Sequence, residues 1–140
     1  MDSVNKPPLA RLGVPFPTEP PNERGWAQPL SLVTLKSGRA AKIISGGDAV
    51  PGGYNGYYAA FDPKTGQKMG YLDYQSAYGD KTIKIAMVEV YPIYRGVGVS
   101  DALLARLLVD CPDNLIDPGM QTADGVAWWQ RVKSYVPHDN

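Results

Sequence analysis

At 140 residues and 15.2 kDa the chain reads as one domain, long enough to bury a hydrophobic core. Its 14 Lys and Arg balance 14 Asp and Glu, so it lacks the basic excess that nucleic acid or an anionic membrane surface selects, and neither partner is expected. No apolar run approaches the ~18 residues of a membrane span, and one cysteine and one histidine leave disulfides, histidine triads and multi-ligand zinc sites poorly supplied.

Residues 1–29 hold seven of the 13 prolines and little periodicity. Proline removes donors and extends its predecessor, so this segment reads as an extended arm. It is either a tail or an arm laid along the domain or a second copy of the chain, with Phe16 and Trp26 as anchors. The start, Met1 to Pro8, has no apolar signal core. With Cys111 as a lone thiol, the expected setting is reducing and cytoplasmic. The domain proper is expected over 30–140.

From Leu30 the pattern is β. Leu30–Leu35 and Ala40–Ile44 flank Lys36-Ser37-Gly38-Arg39, a natural hairpin turn. A glycine-rich loop (Gly46, Gly47, Gly52, Gly53) is expected next, then a strand from Tyr54 to Phe61. Asp62-Pro63-Lys64-Thr65-Gly66 has turn chemistry, and Gln67 to Tyr74 returns as the partner strand. After a second loop, Ser76–Asp80, a strand runs from Thr82 to Tyr91. Short turns between sequential strands predict an antiparallel meander. The tyrosines from Tyr54 to Tyr78 fall on its surface and core.

The last of these strands changes phase. Ile83, Ile85 and Met87 place the core face at odd positions, whereas Val88 and Val90 place it at even ones. A period of two cannot slip without an extra residue, which predicts a β-bulge near Met87–Val88. Burial of both strand faces would remove the need for one.

Residues 98–110 predict a helix with Val99, Ala102, Leu103 and Leu107 inward and Ser100, Asp101, Arg106 and Asp110 opposite. Pro112 stops it, leaving Cys111 as a half-buried structural thiol. Asn114–Ile116 reads as a short strand and Asp117-Pro118-Gly119 as a turn. Thr122 caps a last helix to about Tyr135, with Asp124 in its first turn. His138 is expected to fray. The whole is an α+β fold: a mostly antiparallel mixed sheet with a parallel crossover near its end and two C-terminal helices.

The connection Arg95-Gly96-Val97-Gly98-Val99-Ser100 delivers two glycines to a helix N-terminus, where free N–H groups and the dipole favour an anion. A Walker loop needs lysine after its last glycine, and none follows Gly98. A dinucleotide fingerprint needs a third glycine where Asp101 stands.

With Val90 and Pro92 before it, this turn resembles the central motif of the GNAT superfamily of acyl-CoA-dependent N-acyltransferases. That motif is Q/R-x-x-G-x-G/A at a helix start, occupied here by Arg95, Gly98 and Ser100. The resemblance covers 81–110 and, less closely, the meander from Tyr54 to Tyr74. It implies that backbone N–H groups of Gly96, Val97, Gly98, Val99 and Ser100, with Arg95, hold the pyrophosphate of acetyl-CoA or another acyl-CoA. It implies too that the bulge splays the strand from its neighbour near Leu115–Ile116, freeing Val88 and Val90 to pair with the pantetheine amides. The implied reaction is acetyl transfer to an amine on a small molecule or a protein.

Three departures bear on catalysis. Ser100 stands where the family has Gly or Ala. The family's tyrosine acid falls on Trp129, by a match that also uses Thr122 and Gly125, so Trp128 and Trp129 read as packing or as a lid. Two acceptor-side helices are missing, so that side would be open, or completed by the arm or by a second subunit. Glu89 is the first candidate base, against the plainer reading of a solvated carboxylate paired with a lysine. Asp73, Asp117 and Asp124 follow, the last equally a helix cap. Two further readings compete with an enzyme: a catalytically silent GNAT-like binding or assembly module, and an unrelated α+β domain whose glycine turn is accidental.

Overall fold

Five strands meet through turns too short for anything but antiparallel pairing. The computed structural model describes residues 31–119 and 122–139; the proline-rich arm lies outside them. The strands are β1 (Ser31–Thr34), β2 (Ala40–Val50), β3 (Gly53–Phe61), β4 (Lys68–Ala77) and β5 (Thr82–Val90). Helix α1 (Val99–Asp110) crosses back, β6 (Leu115–Asp117) joins β5 in parallel, and α2 (Ala123–Val132) follows. The six strands lie in sequence order in one mixed sheet, so the α+β expectation holds. One sheet face packs Val33, Ile43, Tyr58, Leu72, Ile83 and Ile85 against Leu103, Leu104 and Leu107 of α1, and Trp129 and Val132 of α2 join this core.

The turn chemistry is as expected. Leu35 N–H donates to Arg39 O and Gly38 N–H to Leu35 O, closing the first hairpin with Gly38 at φ +91°. Asp62 Oδ1 accepts from Lys64 N–H at 2.8 Å, and its Oδ2 accepts Arg39 Nη2 at 2.8 Å. Thr122 Oγ1 accepts from Gly125 N–H at 3.1 Å and caps α2.

Four expectations are corrected. Gly46 and Gly47 lie inside β2 and Gly53 opens β3, so the expected loop shrinks to Pro51–Gly52. The tyrosine rings explain this: Tyr57, paired with Gly46, and Tyr74, paired with Gly56, occupy the space that a Cβ on each glycine would need. Aromatic side chains laid over cross-strand glycines supply the packing that the glycines lack.

The bulge is real but one to two residues early. Asp73 pairs with Met87 and Tyr74 with Ile85, leaving Ala86 as the extra residue. Ile83 and Ile85 are buried and Val88 and Val90 half-buried, but Met87 is 49% exposed on the other face. The phase therefore changes before Met87 rather than after it.

Helix α1 has no polar face of the expected kind. Asp101 and Arg106 are 1% and 2% exposed, because each has ionic or aromatic partners: Asp101 the set described below, and Arg106 the Asp110 carboxylate and the Tyr58 ring. His138 is packed rather than frayed. Its Nδ1 lies 2.7 Å from Val136 O, to which it donates, and its ring meets Trp129 edge-on. Burial pushes the Cys111 thiol up to about 11, with Asp110 adding to the effect, which fits a structural thiol. Among the described residues no helix is long and apolar enough to cross a membrane, and no group of three or more His, Cys, Asp or Glu could hold a metal.

Candidate functional site

Beyond Val90, a single 3-10 turn (Pro92–Tyr94) carries the chain to the glycines. Gly96 has φ +82° and Gly98, the N-cap of α1, has φ +102°. The second value is enforced by packing as well as by the turn. A Cβ on Gly98 would lie 2.9 Å from Lys36 Cγ and 3.2 Å from Lys36 N. Gly98 brings no capping side chain, and its carbonyl accepts the first helical bond from Ala102 N–H at 3.1 Å. The N–H groups before Ala102 are those a helix leaves without intrahelical partners.

A cavity of about 280 Å³ opens at this N-terminus. Gly96, Gly98 and Ser100 line it beside three cationic side chains: Lys36 from the first hairpin, Arg95, and Arg131 from the last turn of α2. Arg95 Nε donates to Val90 O at 3.2 Å, which places the guanidinium group at the end of β5.

Asp101 organises this wall. Its Oδ2 accepts Lys36 Nζ and Arg131 Nη1, each at 3.0 Å. Its Oδ1 accepts Arg131 Nη2 at 2.8 Å and Trp128 Nε1 at 3.2 Å. Burial pushes this carboxyl up, but hydrogen bonds from Arg131 and Lys36, with their charges, outweigh it and hold Asp101 below the ordinary carboxylate range. One buried carboxylate thus ties the hairpin, α1 and α2 together.

Alongside, β5 is paired with β6 only from Thr82 to Lys84. Lys81 O accepts from Leu115 N–H on that side, whereas Tyr91 N–H donates to Met69 O on the β4 side. Alternation, with the extra residue at Ala86, then turns the backbone groups of Val88 and Val90 to the edge that β6 leaves free. A cleft of about 110 Å³ runs there, lined by Ile85, Ala86, Met87 and Val88 on one side and by Pro118, Thr122, Gly125 and Trp128 on the other. Trp128 borders this cleft while its N–H reaches Asp101 of the larger cavity, so the indole stands between the two.

Gly119 follows Pro118 of the far wall and packs against β5. It has φ +69°, and a Cβ there would lie 2.5 Å from Ile85 O, a backbone atom that cannot swing aside. Gly119→Ala is expected to lower stability by about 1–3 kcal/mol, from left-handed strain together with that contact. Urea denaturation of the two proteins measures it.

The expected cofactor residues fall into groups. Val90, Arg95, Gly96, Gly98, Val99 and Ser100 line the larger cavity and Val88 the smaller one. Val97 lines neither and packs against the core. Glu89 is exposed on the sheet face away from α1 and lines neither cavity; it accepts from Tyr71 Oη at 2.9 Å. That bond, with burial and the Glu89 charge, pushes the Tyr71 phenol up to about 12. Asp73 is half-buried opposite Met87, and burial raises its carboxyl although Lys68 pulls the other way. Asp117 Oδ1 accepts from Gly119 N–H, and Asp124 is exposed in the first turn of α2. The two tryptophans divide the readings offered for them: Trp129 is packed at 7% exposure, and Trp128 walls the smaller cleft.

Sequence reasoning missed Lys36, Asp101 as an anchor, and Arg131. Lys36 and Arg131 lie 65 and 30 residues from Asp101, beyond any spacing rule. One signal was present. A carboxylate in the first turn of an anion-binding helix opposes its ligand unless cations neutralise it.

No protein-family model matches this chain, and no curated protein does. Among solved structures, a tandem GNAT protein from the clavulanic acid biosynthesis pathway, determined without AcCoA, is similar over 63% of this chain at 19% identity and a TM-score of 0.47. The match spans 29% of that protein's chain.

Proposed function

We propose that this chain binds an acyl-CoA, acetyl-CoA first among them, and transfers its acyl group to an amine. The observation that carries the reading is a pair of cavities, one at the free β5 edge by the bulge and one at the glycine-rich N-terminus of α1, with Trp128 of the first bonded to Asp101 of the second. The two cavities suit the two ends of such a ligand. The basic cavity fits a diphosphate, and the strand edge offers Val88 and the Val90 N–H to an extended amide chain as an added strand would. The GNAT-like motif from Arg95 to Ser100 agrees with this placement.

An acyl-CoA supplies a thioester, whose acyl carbon forms a C–N bond to the amine as its C–S bond breaks. The chain's part is to place and polarise. The N–H groups of the α1 first turn and the Arg95 guanidinium hold the phosphates, and a backbone N–H on the free edge of β5 polarises the acyl oxygen. Glu89 lines neither cavity, so it takes the amine proton from the other sheet face, through water, and the departing thiolate takes a proton from solvent. The acceptor amine, on a small molecule or a protein, enters from the open side.

A second reading, a GNAT-like binding or assembly module without catalysis, is favoured by one observation. Among the described residues no phenol lines the smaller cleft, and Tyr94 of the larger cavity gives its hydroxyl to Gln67.

Calorimetric titration with acetyl-CoA and CoA tests binding, with micromolar to submillimolar affinity expected. A folded protein that binds neither at millimolar ligand would sink the proposal. Thiol release across an amine panel, lost in Gly98→Trp, separates the enzyme from the silent module.

A further inference from the structure

The sheet face away from α1 carries charges that select an acceptor. We propose that Asp73 and Glu89 hold the two nitrogens of an aliphatic diamine on this face, and that such a diamine is the acyl acceptor; this rests on the acyl-CoA reading above.

Both helices pack against the opposite face, where Leu72, Ile83 and Ile85 are buried. Alternate residues of a strand share a face, so Tyr71 and Asp73 of β4 lie outward. Tyr71 stands opposite Glu89 of β5, and Asp73 opposite Met87. Asp73 and Glu89 are therefore diagonal neighbours, about 7–8 Å apart. Met87 links this face to the acyl end of the ligand. It is 49% exposed beside Asp73 and also lines the smaller cleft.

The two carboxylates differ in their partners. Glu89 accepts from Tyr71 Oη at 2.9 Å. Asp73 is half-buried, and among the described residues no donor bonds to it. Burial raises its carboxyl, and only the Lys68 charge pulls the other way. Its neighbour on β3, Tyr57, lays its ring over Gly46 instead. A carboxylate partly removed from water with no donor is satisfied by a cation. The face already holds one ammonium of the chain itself: Lys68 Nζ lies 4.7 Å from the centre of the Tyr71 ring. With Lys68 counted, Asp73 and Glu89 leave this patch one negative charge in excess.

The chemistry decides which amine fits. A nitrogen attacks the thioester only after losing its proton, here through water to Glu89. A second carboxylate paired with that same nitrogen would hold the proton in place. Asp73 instead reads a second nitrogen, which keeps its proton and offsets the excess charge, while the C–N bond forms at the first. A monoamine leaves Asp73 unmatched, and an amino acid brings a carboxylate against it.

Putrescine, butylamine and γ-aminobutyrate share one chain length and end in a cation, a neutral methyl and an anion. Each is titrated in low salt into the labelled full chain, where surface charges are least screened, and read at the Tyr71, Asp73 and Met87 amides. Putrescine is expected to bind at least about tenfold more tightly than butylamine, and γ-aminobutyrate more weakly than either. Asp73→Asn should bring putrescine within about threefold of butylamine. Lys68→Gln should tighten putrescine, because it removes a repelling cation; a Lys68 that only braces Tyr71 would not have that effect. With acetyl-CoA present, the same preference should appear in KM for the amine and vanish in Asp73→Asn. Thermal melts fix a temperature at which every variant is folded.

Equal binding of putrescine and butylamine overturns the proposal. Parent-like putrescine affinity in Asp73→Asn, with shifts spread over other acidic surface, overturns it too. Either result in a chain that binds CoA leaves the acyl-CoA reading standing. A folded parent that binds putrescine but no CoA removes the acceptor role together with that reading.

Discussion

Replacing Lys36 and Arg131 together by alanine is expected to destabilise the fold by about 3–5 kcal/mol, the usual cost of stranding a buried charge by removing its partners. Asp101 cannot reach water at 1% exposure, and Trp128 Nε1 alone does not neutralise it. Asp101→Asn should cost less, because the cations it releases are about half exposed and can be solvated.

The double variant should also invert the pH dependence. In the parent the folded-state Asp101 pKa is depressed. Its stabilisation is therefore present above the unfolded value of ~3.9 and lost as pH falls through the folded value. Without the two cations burial dominates and raises the folded pKa above the unfolded one. The penalty is then full at neutral pH and relieved as pH falls towards ~4. Urea unfolding at a series of pH values should show the parent's advantage shrinking steadily on acidification. An advantage independent of pH would mean that Asp101 is not the stranded group.

Gly98→Trp is expected to abolish acyl-CoA binding, by about a hundredfold or more in affinity, and to cost about 2–5 kcal/mol in stability. Two effects add. A non-glycine residue at φ +102° is strained, by about 1–3 kcal/mol. Its side chain must also displace Lys36, whose Cγ and backbone N already crowd the position, at a similar overpacking cost. The same displacement closes the cavity mouth. Gly96→Ala is the matched comparison. It shares a positive φ, +82°, but has nothing within 4 Å of the added Cβ, so about 1 kcal/mol of strain is expected and little change in binding. Equal binding losses in the two variants would mean that backbone strain in the loop, not occupancy of the cavity, sets affinity.

Local chemistry was legible in the chain. The Lys36–Arg39 turn, the Asp62–Gly66 turn, the Thr122 cap and the order of strands and helices all follow from neighbours a few residues apart. The phase slip in β5 was legible as well, because inward positions on both sides of it are apolar. Its place was not. Met87 is apolar and exposed, and an apolar residue on an outer face looks like core when only periodicity is counted.

The remaining differences come from partners distant in sequence. Gly46 and Gly47 look like loop until Tyr57 and Tyr54 are seen beside them. Asp101 and Arg106 look like a solvated helix face until Lys36 and Arg131, and the Tyr58 ring, are found against them. The glycine turn at the start of α1 could be read directly. The cations gathered around it could not.

Amide chemical-shift mapping of the labelled full chain during CoA titration tests the central claim most directly. The largest changes should fall at Val88 and Val90, from Gly96 to Asp101, and at the Trp128 indole N–H. Their concentration dependence should give a single affinity. Saturating changes confined to other residues, or none at millimolar CoA, would contradict the account.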